Sequence, residues 1–346
     1  MVETDGSYGE GGGQILRSSL TLSALTGQPL HLQNIRASRK QPGLRPQHLT
    51  AVKAIAKITR AELQGATQNA SQLNLHPQSI QPGKYRFDIP TAGALTLVLQ
   101  TIFLPLSFAE ATSWVTLTGG THVRWSPIYH YLKENWLPLM QTLGFRLEMT
   151  LDKAGFFPGG GGEVTLKVLP HKALTPYRCT HRGDLESIRG LSGVANLKDQ
   201  IATRQKHQAL KRLYPVYRNS KIQTLRLPSP VKGTFILLKA NFTQCGSACT
   251  TALGAPGKPA EQVADEAVDQ LLSFLETDGC VDHYLADQLL LPLSLIEGQS
   301  EFRTNAITDH LLTNAHMVRQ FLPATIEIGE EKAAPGLVQI QGFSRK

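Results

Sequence analysis

Alternating helical and extended patterns predict a mixed α/β chain of the α+β kind, built from three similar helix–strand–helix–strands units. Two observations carry that prediction. The first two units begin roughly 80 residues apart, at helices opening near Gly13 and Ala92, and a third of the same order fills the far end. Between the second and third units lies a run of different order, βαββα, long enough to form an inserted small domain. The expected division is 1–183 together with 278–346 as a large domain, and 184–277 as a smaller α/β insert.

The first unit opens on a glycine-rich turn, Gly9-Glu10-Gly11-Gly12-Gly13, whose bare backbone can approach a ligand. A helix runs from near Gly13 to about Thr26, then a strand from Pro29 to Arg36 and a helix from Gln47 to Thr59. Short strands are expected at Glu62–Ala66, Leu73–His76 and Tyr85–Ile89. The second unit has an apolar helix over Ala92–Phe108, a strand at Trp114–Thr118 and a helix at Tyr129–Leu143. Its closing strands are Phe145–Leu151 and Glu163–Leu169.

In the insert, strands are expected at Asp184–Val194, Lys221–Leu225 and Thr234–Ala240, and helices at Lys198–Tyr214 and Pro259–Leu275. Ser247–Pro259 reads as a Gly/Pro-rich loop. The third unit has helices at Tyr284–Ile296 and Asp309–Phe321, with strands at Glu301–Thr304 and Thr325–Ile328.

No apolar run reaches ~18 uncharged residues, so no membrane span is expected. The start carries Glu3, Asp5 and Glu10 without an apolar core, unlike a signal peptide. Four cysteines in 346 residues argue against a disulfide framework, and none forms a zinc pattern, so reduced thiols in a cytosolic protein are expected. A net charge of +8 permits a polyanionic partner without requiring one.

Three stretches carry candidate chemistry. Leu311, Ala315, Val318 and Leu322 recur at helical spacing behind a potential cap at Thr308 or Asp309, which puts His310 in a first helical turn. There the helix dipole disfavours imidazolium, so a neutral ring with a free lone pair is expected. The same dipole favours a phosphate beside it, and the combination suits a nucleophile attacking phosphorus. By itself the pattern also fits a structural histidine.

Glu10, in the glycine turn, would repel a phosphate unless a divalent cation lay between them; a solvated Glu in a tight turn is the alternative. Arg17 sits one turn into the following helix. Arg36, Arg39, Lys40 and Arg45 form a basic loop with no acid of its own, suited to phosphate oxygens or to a solvated face.

Four stretches together resemble the RNA 3′-terminal phosphate cyclases along nearly the whole chain. They are Gly9–Arg17, Ile35–Gly43 leading into Gln47-His48-Leu49, Tyr284–Gln288 and His310–Asn314. The resemblance implies three repeats around one core, with the inserted domain before the third. It also implies a reaction: an RNA 3′-terminal phosphate and ATP give a 2′,3′-cyclic phosphate, AMP and pyrophosphate. His310 matches the family's nucleophile, which would carry AMP covalently before passing it to the RNA end.

By the same resemblance Gln100, Tyr284, Leu285, Ala286, Asp287 and Gln288 would hold ATP. Glu10 would bind the divalent cation, Mg2+ or Mn2+, and Arg17, Arg36, Arg39 and Gln47 would line the phosphate site. Non-catalytic relatives that act in ribosome assembly lack the histidine that stands here at His310. The chain departs from the family at Gly119-Gly120-Thr121-His122 and Ser126–His130, where His130 stands near a position that relatives fill with Asp.

Overall fold

A computed structural model describes residues 1–329 and 331–343. Three sheets share one topology. In the first, Val2–Asp5 pairs parallel with Leu30–Gln33, and Leu73–His76 and Glu62–Gln64 follow antiparallel. In the second, Lys84–Asp88 pairs parallel with Ser113–Gly119, followed antiparallel by Gly162–Leu169 and Arg146–Lys153. In the third, Arg178–Cys179 pairs parallel with Gly298–Thr304, followed antiparallel by Gly336–Gly342 and Thr325–Ile328.

Each unit is thus strand–helix–strand–helix–strand–strand, one leading strand longer than the sequence pattern suggested. A parallel pair needs a crossover, and the first helix of each unit supplies it. The strand near Lys84, read as the close of the first unit, opens the second. In the third unit the leading strand is Arg178–Cys179, and residues 184–277 enter after it.

Those residues form a fourth sheet, in which Leu185–Ala195 pairs parallel with Lys221–Arg226 and antiparallel with Gly233–Phe242. Ser247–Leu253 completes it beside Gly233–Phe242, where a loop was expected. The run is small and β-branched rather than Gly/Pro-rich, and the turn residues begin only at Gly254. Helices Gln200–Leu213 and Ala260–Leu275 cover this sheet around their own apolar cluster, with Ile236, Leu238, Val263 and Leu271 buried in it.

Helices of the three large units pack against one another, with Gly13–Thr26 touching Pro46–Thr59, Leu95–Ser107 and Asp309–Phe321. Two prolines help to tie elements together. Pro105 has no N–H for the carbonyl of Thr101, and Thr21 Oγ1 on the neighbouring helix donates to that oxygen at 2.8 Å instead. Pro138 likewise frees the carbonyl of Glu134, which accepts from Lys239 Nζ of the fourth sheet at 2.6 Å. The helix opened at Tyr129 loosens into a π turn over Leu132–Trp136 just before that proline.

One expectation fails in the cysteines. Cys179 and Cys245 form a disulfide, while Cys249 and Cys280 are free and buried. The partners stand 66 apart in sequence and meet because the turn after Phe242 folds against the strand Arg178–Cys179; their Cα atoms are 5.7 Å apart. No helix of the described residues is long and apolar enough to cross a membrane.

Candidate active site

Thr308 caps the helix Asp309–Phe321, its Oγ1 accepting from Leu311 N at 3.1 Å, so His310 does lie in the first turn. The glycine turn is laid directly over it. Tyr8 stacks on His316 with ring centroids 3.8 Å apart, and Gly9 has no room for a Cβ against Thr313. Gly9 and Gly11 adopt φ +57° and +56°, a region glycine enters without strain. The turn therefore brings Glu10 onto the histidine: Glu10 Oε2 is 2.9 Å from His310 Nε2, and Glu10 Oε1 accepts from Arg39 Nη2 at 2.6 Å.

This chain of three reverses the direction of the shift expected for the His310 pKa. The hydrogen bond to Glu10 raises its pKa; burial opposes that, and the nearby Asp287 adds to the rise. Two carboxylates thus outweigh the burial and the Arg17 charge that oppose protonation. Burial disfavours the charge on Glu10, but His310 and Arg39 more than offset it and hold the carboxyl below its ordinary range. Glu10 also supplies the acid that the basic loop lacked. The other ring nitrogen, His310 Nδ1, is buried without a hydrogen-bond partner among the described residues.

A second set of contacts fixes the surrounding helices. Asn314 Oδ1 accepts from Gln14 Nε2 at 2.8 Å and from Ser18 Oγ at 2.6 Å, while its Nδ2 donates to the carbonyl of Asp287 at 2.8 Å. One buried amide thus joins three helices that carry candidate residues. Gln14 and Asn314 stand in the motif stretches, but the sequence assigned no role to them or to Ser18. The available signal was a polar residue at 314, flanked by the apolar positions 311, 315 and 318.

A cleft of about 2350 Å³ opens over these groups, lined among others by Glu10, Arg17, Arg39, Asp287 and His310. Arg36, Gln47, Gln100, Tyr284 and Gln288 line it too, so ten of the twelve expected site residues meet there. Leu285 and Ala286 do not, being 1% and 0% exposed in the core. Helical periodicity explains the split: 284, 287 and 288 share a face, and 285 and 286 turn away from it.

Several side chains already have structural duties. Arg36 Nη1 donates to the carbonyls of Gln41 and Gly43 at 2.8 and 2.9 Å, bracing its own loop. Gln47 Oε1 accepts from Ala94 N at 2.8 Å, at the start of the helix Leu95–Ser107. Gln100 Nε2 donates to Gln288 Oε1 at 2.6 Å, coupling two of the expected ATP-side residues.

The electrostatics of the cleft are polarised. Burial pushes Asp287 up to about 7, against the opposing pull of His310 and Arg17. Burial also brings Arg17 down to about 10 and His48, with three arginines nearby, down to about 3. Arg17 donates to Gln14 Oε1 at 2.5 Å and forms no ion pair among the described residues. Such a guanidinium, partly desolvated beside a capped helix start, is prepared for an anionic ligand. At the altered loop, His122 Nε2 and His130 Nδ1 lie 2.7 Å apart, buried against Phe156 and Phe235. Burial holds both rings below their ordinary pKa.

Comparison with known proteins shows the family. The family model described as RNA 3′-terminal phosphate cyclase matches residues 8–328. A protein of that name from Nostoc punctiforme is 42% identical over 340 residues, 95% of this chain and 97% of its own. Another from Methylococcus capsulatus is 41% identical, covering 99% and 97%, and one from Methanopyrus kandleri is 39% identical, covering 99% of each. At that coverage and identity, the chain belongs to the RNA 3′-terminal phosphate cyclase family.

Proposed function

We propose that this protein converts an RNA 3′-terminal phosphate to a 2′,3′-cyclic phosphate at the expense of ATP, with His310 as the covalent carrier of AMP. The observation that carries this reading is the half-buried His310 at a capped helix start, facing a cleft lined by Arg17 and Arg39. A ring nitrogen of His310 attacks the α-phosphorus of ATP; the N–P bond forms as the bond to pyrophosphate breaks. An oxygen of the RNA 3′-phosphate then takes the AMP from His310. The 2′-hydroxyl oxygen attacks the 3′-phosphorus, its proton is lost, and AMP leaves. The activation is needed because an unactivated phosphate monoester has no good leaving group.

His310 Nδ1 is buried, which leaves Nε2 as the attacking nitrogen, and Nε2 attacks only when unprotonated, so the His310–Glu10 contact has to open or lose its shared proton first. Arg39 holds Glu10 from the other side and keeps the carboxylate in place when the histidine lets go. Glu10 also fits one ligand position of a divalent cation, being a carboxylate already directed into the cleft. Mg2+ or Mn2+, when bound there, would shield the triphosphate charge. Tyr284, half-exposed, with Asp287 and Gln288 on the same helical face, and Gln100 hydrogen-bonded to Gln288, supports binding of the nucleoside end of ATP. Arg17, with Arg36, Arg39 and Gln47, supports binding of the phosphates.

The test is incubation with ATP labelled at the α-phosphorus. Acid-labile label is expected on the protein, and His310→Ala should lose it while keeping its circular dichroism. Label undiminished on that variant sinks the assignment. His48→Ala, His122→Ala and His316→Ala serve as controls expected to keep at least some adduct. Excess chelator should stop labelling; persistence of activity there removes the metal role from Glu10.

A further inference from the structure

The cleft that holds His310 is rimmed by two aromatic rings that the fold does not cover. Trp125 is 97% exposed and Phe157 78% exposed, and both line the same cleft. Large apolar side chains left in water at the edge of a cleft mark a contact surface. Their exposure is enforced by the backbone. Trp125 has φ +64°, a left-handed conformation that is costly for a bulky residue and persists only where its surroundings impose it.

Those surroundings are visible. Ser126 Oγ donates to the carbonyl of Val123 at 3.1 Å, and Tyr129 N to that of Thr121 at 2.8 Å. His122 N donates to the carbonyl of Gly155 at 3.0 Å, and a bridge from His122 to Phe156 joins the two aromatic loops. Beneath the rim, His122 and His130 pack on Phe156 and Phe235. The histidines that distinguish the Gly119–His130 stretch thus serve as its floor.

Two cations flank the rings. Arg124 precedes Trp125, and Lys232 follows Val231, whose side chain lies beside Gly159 of the second loop. Both line the cleft, are exposed and form no ion pair among the described residues. Arg204 and Lys258, which also line the cleft, are occupied by Glu261 and Glu266. Stacking rings interleaved with unpaired cations match the alternation of base and phosphate along a single strand. A lone adenine would need one ring, and Tyr284, three residues from Asp287, already offers it.

We infer that Trp125 and Phe157 form a stacking platform for the bases just upstream of the RNA 3′ end, with Arg124 and Lys232 on the adjoining backbone phosphates. This rests on the RNA reading proposed above.

The experiment compares wild type, Trp125→Ala and Phe157→Ala in two assays: self-labelling by ATP, and cyclisation of an RNA of about ten nucleotides ending in a 3′-phosphate. The expected result is unchanged labelling with KM for the RNA raised about tenfold per ring, restored largely by Trp125→Phe. A dinucleotide 3′-phosphate should show little of this difference. The same RNA, added without ATP, should quench tryptophan emission in wild type and not in Trp125→Phe. Unchanged KM and an unchanged quench overturn the platform, as does a loss of labelling equal to the loss of cyclisation. If wild type takes no label and closes no RNA end, the proposed function fails; a quench that still depends on Trp125 would leave the platform standing.

Discussion

His310 Nε2 lies 2.9 Å from Glu10 Oε2, so the residue that must offer a lone pair rests on a carboxylate that favours its protonation. The pair makes the resting histidine more basic than its position in a helix would.

Glu10→Gln should therefore lower the His310 pKa toward or below its ordinary value, because burial then acts with less opposition. A raised histidine pKa stabilises the fold fully below ~6.5 and loses that contribution as pH rises through the raised value. Proton titration of the His310 ring by NMR, in metal-free and nucleotide-free protein, reads the change. An unshifted His310 in the variant would show that the contact does not govern its protonation.

Arg36 and Arg39 should separate in single-turnover kinetics. Arg36 braces the loop through the Gln41 and Gly43 carbonyls, so Arg36→Ala is expected to slow adenylylation and cyclisation alike. Arg39 has a cleft-facing guanidinium, so Arg39→Ala should slow cyclisation more. The lost contact corresponds to ~1.5–3 kcal/mol, or about ten- to a hundredfold in that step. Lysine at 39 should rescue only partly, since a point charge does not reproduce the planar fork. Equal losses in both steps for Arg39→Ala would assign it to the ATP phosphates.

Asn314→Ala should destabilise by roughly 2–3 kcal/mol, because Gln14 and Ser18 lose their acceptor and the Asp287 carbonyl loses its donor. Thermal unfolding reads this as a drop of several degrees. A midpoint within a degree of wild type would mean that water replaces the amide without cost.

Asp287→Asn should stabilise the protein more at pH 8 than at pH 5. Burial raises this carboxyl to about 7, so the folded state holds a proton that the unfolded chain releases near 4. Stability from this group falls as pH climbs through that window and stays low above it; asparagine removes the dependence. The same variant is expected to weaken ATP labelling, as stabilisation at the expense of function is common in binding sites. Parallel melting curves across pH for both proteins would refute the carboxyl's role.

Much of the fold was legible because its helices bury continuous apolar faces. Asp309–Phe321 and Thr325–Ile328 match the sequence reading to the residue, and the helix expected from near Gly13 to about Thr26 spans Gly13–Thr26. The strands that were missed are short or late. Val2–Asp5 and Arg178–Cys179 are only four and two residues long and owe their existence to a parallel partner, which no local pattern announces. Gly336–Gly342 alternates buried residues with half-buried or exposed ones but has Gly at both ends.

By itself, the sequence determined the units, the motifs and the chemical types gathered at Glu10, Arg17, Arg39 and His310, because periodicity and short motifs are local properties. Tertiary structure alone decided the rest. It raised the pKa of His310 by laying a carboxylate from a residue 300 positions away against it. It turned Leu285 and Ala286 into the core, brought Cys179 to Cys245, and bound Arg36 to its own loop. Charge, burial and proximity depend on which elements meet, and long-range packing chooses those partners.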